Sequence, residues 1–155
     1  MSLQQEIDKQ LKNEDAPVGN ICISGTLATG SFKAPKGTRI TVRDGKSVTL
    51  DSNEGANEIS FVNCDDVTVT DFKEGILRFE RCKKVKKVKC TEKATVHVSD
   101  AEIEDMDLMK TQAVLMSCKI KKGKLEDCEI TSVENEWEKL EITGGILHSD
   151  KDKFK

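Results

Sequence analysis

The sequence predicts an all-β protein, a right-handed single-stranded parallel β-helix with a short N-terminal capping helix, and three observations favour this fold. The first is a repeat, because Cys64, Cys82, Asp100 and Cys118 follow one another at equal intervals. The second is that the segments around these positions read as a short strand, a small or polar corner and another strand. The third is the composition: with one Trp, five Phe and no Tyr, the core must be filled mainly by Val, Ile, Leu and Cys.

The first element is a helix predicted over residues 1–16. Leu3, Ile7 and Leu11 recur at four-residue spacing, which puts them on one face of three helical turns, and Pro17 ends the pattern. A β-helix exposes an open sheet edge and an open core at each end, and a short helix can cover one of them. Two roles stay open for this segment: it caps the solenoid, or it docks on a partner.

The β-helix itself is predicted over residues 18–148. Ile40 and Val42 alternate with polar residues as half-buried strands do, and Gly45 marks the following corner. The interval between the corners is a period of about 18 residues, which is too short for helical-hairpin repeats and gives about seven coils, stacked at about 4.8 Å per coil. A second column of the repeat, Phe72, Cys90 and Leu108, reaches Glu126 at its next step, so we expect the register to fail there.

The last coil contains the single Trp, Trp137, which we expect to cover the C-terminal end. Residues 149–155 read as a polar, solvated tail. The ends of a solenoid present unpaired strand edges and large apolar side chains, so they are the expected contact surfaces, and copies of the chain are expected to associate through them. The predicted contact residues are Leu3, Ile7, Leu11 and Trp137.

A five-residue spacing near the C-terminal end indicates the hand of the coil. Ala113, Cys118, Gly123 and Cys128 recur at this spacing, each followed two residues later by an aliphatic residue. The pattern resembles the pentapeptide repeat, whose coil is right-handed, and it covers one coil. The left-handed hexapeptide helix needs a six-residue apolar rhythm, which breaks at Lys73. We therefore favour the right-handed form.

Cysteine-centred corners suggest a known family. The segments concerned are Asn63-Cys64-Asp65-Asp66-Val67, Arg81-Cys82-Lys83-Lys84-Val85 and Leu125-Glu126-Asp127-Cys128. Over residues 56–130 the chain resembles the β-helical domain shared by cyclase-associated proteins and tubulin-folding cofactor C. That resemblance implies a rigid platform for cytoskeletal or small-GTPase partners. In the cofactor C branch an arginine in a Gln-rich segment acts on a GTPase, but the segment around Gln112 has no arginine, so this activity is not carried over.

The most visible charged feature is a basic run. It comprises Lys83, Lys84, Lys86, Lys87 and Lys89. An 18-residue register sets these lysines between acidic residues of the neighbouring coils, so we predict a ladder of alternating charge in which Lys86 lies within salt-bridge reach of Glu104, and Lys122 follows Glu104 on the other side. With a net charge of −3 and no aromatic residue interleaved to stack on bases, a nucleic-acid partner is not predicted.

Residues that could catalyse a reaction or bind a metal are scattered. His97 and His148 stand 51 positions apart, and His97 reads as an outward-facing strand residue. The cysteine spacings contain no CxxC pair. The sequence therefore predicts no catalytic residue, no cofactor and no metal. A carbohydrate-active β-helix enzyme is the least favoured alternative, because the carboxylates read as corner residues and the aromatic residues are few.

The expected compartment is the cytoplasm, since the N-terminal segment has no apolar signal-peptide region and no later run approaches the ~20 apolar residues of a membrane span. The six cysteines are then expected to be reduced, with most of them buried, and no membrane contact is predicted. The function predicted first is a non-enzymatic platform that binds protein partners. The alternative is a structural subunit of a larger viral or cellular assembly.

Overall fold

The structure is a computed structural model that describes residues 2–12 and 20–155, and it shows a parallel β-solenoid of about eight coils. The helix, α1, spans Leu3–Leu11. The strands are β1 Asn20–Ser24, β2 Gly30–Ala34, β3 Arg39–Arg43, β4 Val48–Asn53, β5 Asn57–Val62, β6 Asp66–Glu80, β7 Lys84–Ser99, β8 Glu102–Ile103, β9 Met106–Met109, β10 Gln112–Met116, β11 Lys119–Val133, β12 Glu136–Asp150 and β13 Lys153–Phe154. The predicted β-solenoid with an N-terminal helix is confirmed, with one more coil than expected. The right hand of the coil stays a prediction.

Each coil has three sides, as residues 101–117 show most simply. There the chain forms β8, β9 and β10 in turn, and we call the sides that contain them face A, face B and face C. Every strand pair in the described residues is parallel, so equivalent positions stack from coil to coil. In β6, β7, β11 and β12 the ladder of hydrogen bonds continues around a corner, and one long strand covers more than one face.

The length of a coil changes along the solenoid. Where face C meets face A, Asn63 donates to Asp44, the equivalent corner residue 19 residues earlier, whereas Cys118 and Asn135 at the same corner are 17 residues apart. The period of ~18 residues is therefore an average. The 18-residue register therefore fails at Glu126 as predicted, and the column of Phe72, Cys90 and Leu108 itself continues one residue earlier, at Leu125.

The cysteine column is confirmed with one correction. Cys64, Cys82 and Cys118 occupy the same corner, but the residue between Cys82 and Cys118 is Ala101 and not Asp100. Ala101 accepts a backbone hydrogen bond from the N–H of Lys119 at 3.0 Å, as expected of the position below Cys118. The step from Cys82 to Ala101 is longer than the average period and the step from Ala101 to Cys118 is shorter by the same amount, so the sequence spacing recovers at Cys118.

Left-handed residues turn this corner in coil after coil. The residue before each corner side chain has a positive φ, from 52° at Asp100 to 58° at Lys151, although few non-glycine residues adopt this conformation. The same conformation recurs where face B meets face C, for example at Glu74 and Lys110. The strain of about 1 kcal/mol per residue is offset because the backbone ladder continues through the corner.

Aromatic and aliphatic side chains fill the solenoid interior. Phe61 stacks on Phe79 with ring centroids 5.4 Å apart, and Phe32 lies 6.4 Å from Phe61 on the other side. The eight positions of the five-residue pattern are all buried: Ala113, Leu115, Cys118, Ile120, Gly123, Leu125, Cys128 and Ile130. One corner carries Asn135 in place of cysteine, and its side chain accepts a bond from the Cys118 N–H at 2.8 Å.

The limits of the predicted segments differ from those observed. The helix ends at Leu11, while residues 13–19, including Pro17 and the predicted start of the β-helix, lie outside the described residues. The predicted polar tail is wrong, because β12 extends to Asp150 and β13 begins a further coil by pairing with Glu136 and Trp137. No helix in the described part of the chain is long and apolar enough to cross a membrane.

Candidate interaction site

The N-terminal end of the solenoid is covered by α1. Leu3 and Ile7 point into the core and are 1% and 0% exposed. The side-chain amide of Gln4 accepts the Lys33 N–H at 2.6 Å and donates to the Lys33 carbonyl at 3.3 Å, while Gln10 donates to the Cys22 carbonyl at 3.4 Å. These amides bind backbone groups of β1 and β2 that would otherwise form an open sheet edge. The geometry is that of a cap.

The capping arrangement also fixes what a partner can reach at this end. The helix begins with a capping box in which Ser2 and Gln5 satisfy each other's backbone N–H. Of the predicted contact residues on the helix, Leu3 and Ile7 lie beneath the surface, and Leu11 is 36% exposed. A partner could therefore touch Leu11 and the polar face of the helix without disturbing the core.

Trp137 lies inside the last coil and is 1% exposed. Its indole N–H donates to Ser132 Oγ at 3.2 Å, and its ring packs over Gly123, where a Cβ would stand 2.6 Å from the ring. On the C-terminal side of Trp137, Phe154 of β13 is its register partner, and the Lys155 N–H donates to the Trp137 carbonyl at 2.9 Å. The predicted cover of the C-terminal end is thus a core residue, and the contact surface lies one layer further out.

That outer layer exposes an apolar patch. Ile142 is 45% exposed, Ile146 55% and Phe154 54%, and the partly buried Leu140 and Leu147 lie beside them. We call these five residues the terminal patch. Residues 139–143 and 145–150 of β12 pair with β11 on one side, and within the described chain nothing pairs with their other side. The C-terminal end therefore combines exposed apolar side chains with unpaired backbone groups.

The sequence pattern only partly indicated this patch. Ile142 and Ile146 were visible as apolar residues of a last coil, but Phe154 was assigned to a polar tail. Phe154 is the register partner of Trp137, so it belongs to the same column once the shorter coil length is known. An 18-residue period places it one position out of register.

The charge ladder on face A is present, with a different pairing from the one predicted. Lys84 binds Glu104 at 2.8 Å and Lys86 binds Asp66 at 3.0 Å, so the predicted pair of Lys86 with Glu104 is wrong. Lys121, and not Lys122, follows Glu104 in the next coil, because Ile103 pairs with Ile120 across a shorter coil. Opposite charges nevertheless alternate across successive coils.

The ion pair between Lys84 and Glu104 affects the titration of both groups. The hydrogen bond and charge of Lys84 lower the pKa of Glu104, and those of Glu104 raise the pKa of Lys84. Both side chains are partly exposed to solvent, so the pair contributes little to stability and is screened by salt. Lys83, Lys84, Lys86 and Lys121 each bind a carboxylate, so the positive charge of these four lysines, which could attract phosphates, is opposed.

Face C carries a second exposed surface, in the middle of the rod. A shallow groove of about 300 Å³ is lined by residues that include His97, Val114 and Met116. Met116 is 48% exposed, and His97 is exposed on β7 as predicted. We call this surface the lateral groove. Unlike the terminal patch, its backbone is fully paired on both sides, because β10 lies between β7 and β11.

The described cysteines are free thiols, and five of the six are buried. Burial raises the pKa of Cys90 to about 12 and that of Cys118 to about 11. Cys64 and Cys82 stack as neighbours, and the Cys82 thiol donates to the Phe61 carbonyl at 3.5 Å. The proximity of the two thiols and the burial of Cys82 raise the pKa of Cys82. Cys22 is exposed near the opposite end of the rod from the terminal patch. In the described residues, no group of three or more His, Cys, Asp or Glu side chains could hold a metal ion.

No family model, curated protein or solved structure matches this chain. The resemblance to cyclase-associated proteins and tubulin-folding cofactor C therefore stays a prediction from the sequence. Function must be argued from the surfaces themselves. Among them, the terminal patch is the one that combines exposed apolar side chains with backbone hydrogen-bonding groups that have no strand partner on one side in the described chain.

Proposed function

We propose that this protein is a non-enzymatic, cytoplasmic β-solenoid that binds protein partners through the terminal patch. The observation that carries the proposal is the difference between the two ends. The helix α1 binds backbone groups of the edge at the N-terminal end, whereas at the other end the edge of β12 is open, with Ile142 and Ile146 exposed on β12 and Phe154 exposed on β13. An uncovered strand edge beside apolar side chains is a suitable template for a strand of another chain.

The class of partner is proposed from the cysteine-centred corners. Their resemblance to cyclase-associated proteins and cofactor C supports cytoskeletal or small-GTPase partners as the first class to test. The rigid, stacked coils support the role of a platform, because a solenoid offers extended surface area without needing a reactive cluster.

A second candidate function is that of a structural subunit in a larger viral or cellular assembly. The open edge of β12 favours it, because another strand can extend the parallel sheet without changing the fold of this chain. The two functions differ in permanence: a platform exchanges its partners, whereas a subunit is isolated only within its assembly.

Photo-crosslinking in the source cells tests the terminal patch directly. Benzoylphenylalanine replaces Phe154, which is 54% exposed, and in a matched control it replaces Met116, which is 48% exposed in the lateral groove. We expect position 154 to yield discrete cross-linked products whose second component is identified by mass spectrometry. If position 116 yields such products and position 154 yields none, the terminal patch is not the contact surface and the proposal fails.

A further inference from the structure

The C-terminal end of the solenoid is a step and not a flat surface. The chain visits faces A, B and C in order and rises by about 4.8 Å per coil, so each face ends at a different height. Face A ends highest, because Lys153 and Phe154 of β13 lie over Glu136 and Trp137. Face B ends lowest, at residues 139–143, and face C ends between them, at residues 145–150.

Two such steps fit together around one particular two-fold axis. The high face of each copy must meet the low face of the other, and the intermediate face must meet itself. The axis that does this passes through the middle of face C and exchanges faces A and B. An axis through the middle of face A places the high face A against itself and leaves a gap of about one strand spacing between faces B and C. An axis through the middle of face B places face A against face C and leaves a gap of the same size where face B meets itself. All strands meet antiparallel in this arrangement.

The side chains agree with this axis in register and in charge. Phe154 and Ile142 both occupy inward-facing columns, those of Trp137 and Leu125, so we pair them across the interface. Antiparallel pairing then places Lys155, whose Nζ also binds Glu136 of its own copy at 2.7 Å, opposite Glu141 of the second copy, a match of opposite charges that occurs twice by symmetry. Continued along the chain, the same register places His148 opposite His148 of the second copy, at the middle of face C.

The size of the end and the cap at the other end define what forms. One short coil with its side chains covers roughly 600 Å² per copy, near the lower end of the area of specific interfaces. The N-terminal edge is bound by Gln4 and Gln10, so it offers no equivalent surface for a third copy. From these observations we infer that a second copy of this chain binds the terminal patch and forms a closed two-fold dimer. The inference rests on the proposed function, because it names the partner of that surface.

Disulfide trapping tests the axis. The variant carries His148→Cys in a Cys22→Ser background, which removes the exposed native thiol. Mild oxidation should convert most of the chain into a covalent dimer at the position where the axis passes. The matched control carries Thr131→Cys in the same background: Thr131 is the exposed residue directly below His148 in register, one coil away from the interface. We expect its dimer yield to be lower by at least an order of magnitude, and equal yields from the two variants would overturn the proposed axis.

Sedimentation of the full chain measures the association itself. The parent chain should sediment as a dimer, and Ile142→Lys should be monomeric with an unchanged circular-dichroism spectrum. Glu141→Lys should weaken the dimer by about threefold to tenfold through two like-charge contacts. Because Lys155→Glu also breaks the bond of Lys155 to Glu136, the two changes are measured singly and together, and the double variant should be weakened by less than the sum of the two single effects. Met116→Lys in the lateral groove should have no effect. A monomeric parent chain, or a dimer that Met116→Lys disrupts and Ile142→Lys does not, overturns the inference.

Removing the cap tests closure. Deletion of residues 1–12 exposes the β1 and β2 edges, so the truncated chain should form longer assemblies that Ile142→Lys reduces to small ones. The photo-crosslinking result separates this inference from the proposed function. Cross-links from position 154 to another copy support the homotypic dimer and the terminal patch as a contact surface, and they refute a cytoskeletal or small-GTPase partner at that patch. Cross-links to a different protein support the proposed partners and overturn the homotypic dimer, and the absence of cross-links refutes both.

Discussion

Replacing Trp137 with alanine removes the largest buried side chain of the solenoid. The indole buries roughly 200 Å² of surface, so its transfer from water is worth about 5 kcal/mol as an upper value. Substitutions of this kind cost about 3–5 kcal/mol in protein cores, because the surroundings collapse only partly around the cavity. Here Gly123 below the ring cannot fill the space, since it has no side chain. The expected cost therefore lies in that range.

Thermal unfolding followed by circular dichroism measures the effect. A loss of about 3–5 kcal/mol should lower the Tm by about 6–20 °C in a chain of this size. The matched control is Phe154→Ala, which changes the next residue in the same column but one that is 54% exposed. We expect the control to lower the Tm by less than a third as much.

Trp137 also reports on itself, because it is the single Trp of the chain. In the parent protein its fluorescence should be blue-shifted and protected from acrylamide, and Phe154→Ala should leave most of that protection. The reasoning is refuted if Trp137→Ala lowers the Tm no more than Phe154→Ala does, or if the parent Trp is quenched as readily as in the unfolded chain. Either result would mean that the last coil is open in solution.

Three further predictions concern the corners, the thiols and the charge ladder. Ala101→Cys should be tolerated, since cysteine occupies the same corner in neighbouring coils. Cys118→Asp should lower the free energy of unfolding by several kcal/mol in denaturant titrations, because it buries a carboxylate. Equal effects of the two substitutions would contradict the assigned column. A thiol reagent should label Cys22 quickly and the other five only on unfolding, and rapid labelling of two or more thiols in the native chain would contradict the burial. Because the pKa of Glu104 is lowered in the folded chain, its ionised form contributes stability at a pH above the usual glutamate pKa, and this stability is lost as the pH falls through the lowered pKa. In melts at different pH, Lys84→Met should flatten this acid dependence and Lys86→Met should not. The reverse outcome would favour the pair of Lys86 with Glu104 that the sequence predicts.

Both proposals for function depend on features that appear only in three dimensions. Ile142, Ile146 and Phe154 are ordinary apolar residues in the sequence, and most other isoleucines in the described residues are buried. Ile142 and Phe154 occupy inward-facing columns and are exposed because no coil lies above them in the described chain, whereas Ile146 lies in the outward-facing column of Glu129. Conversely, Trp137 has the residue type of an interface anchor, but β13 covers it.

The sequence by itself determined the class of fold. A regular period, small side chains after each corner and β-branched strands specify stacked parallel coils, because equivalent positions in neighbouring coils must have compatible size. The apolar spacing of Leu3 and Ile7 likewise determined a helix with one buried face. These features are local or strictly periodic, so they can be recognised without knowing which residues meet.

Only the tertiary structure decided the register and the surface. Longer and shorter coils average to the period seen in the sequence, so the sequence could not tell that Ala101 occupies the corner between two cysteines or that Lys84, and not Lys86, reaches Glu104. A shift of one residue exchanges the inward and outward faces of a strand, and such shifts are absorbed at corners and bulges that leave no periodic mark. The exposure of an end depends on what lies above it in space. The terminal patch therefore depends on the position of β13, which covers Trp137 and leaves the rest of β12 uncovered in the described chain.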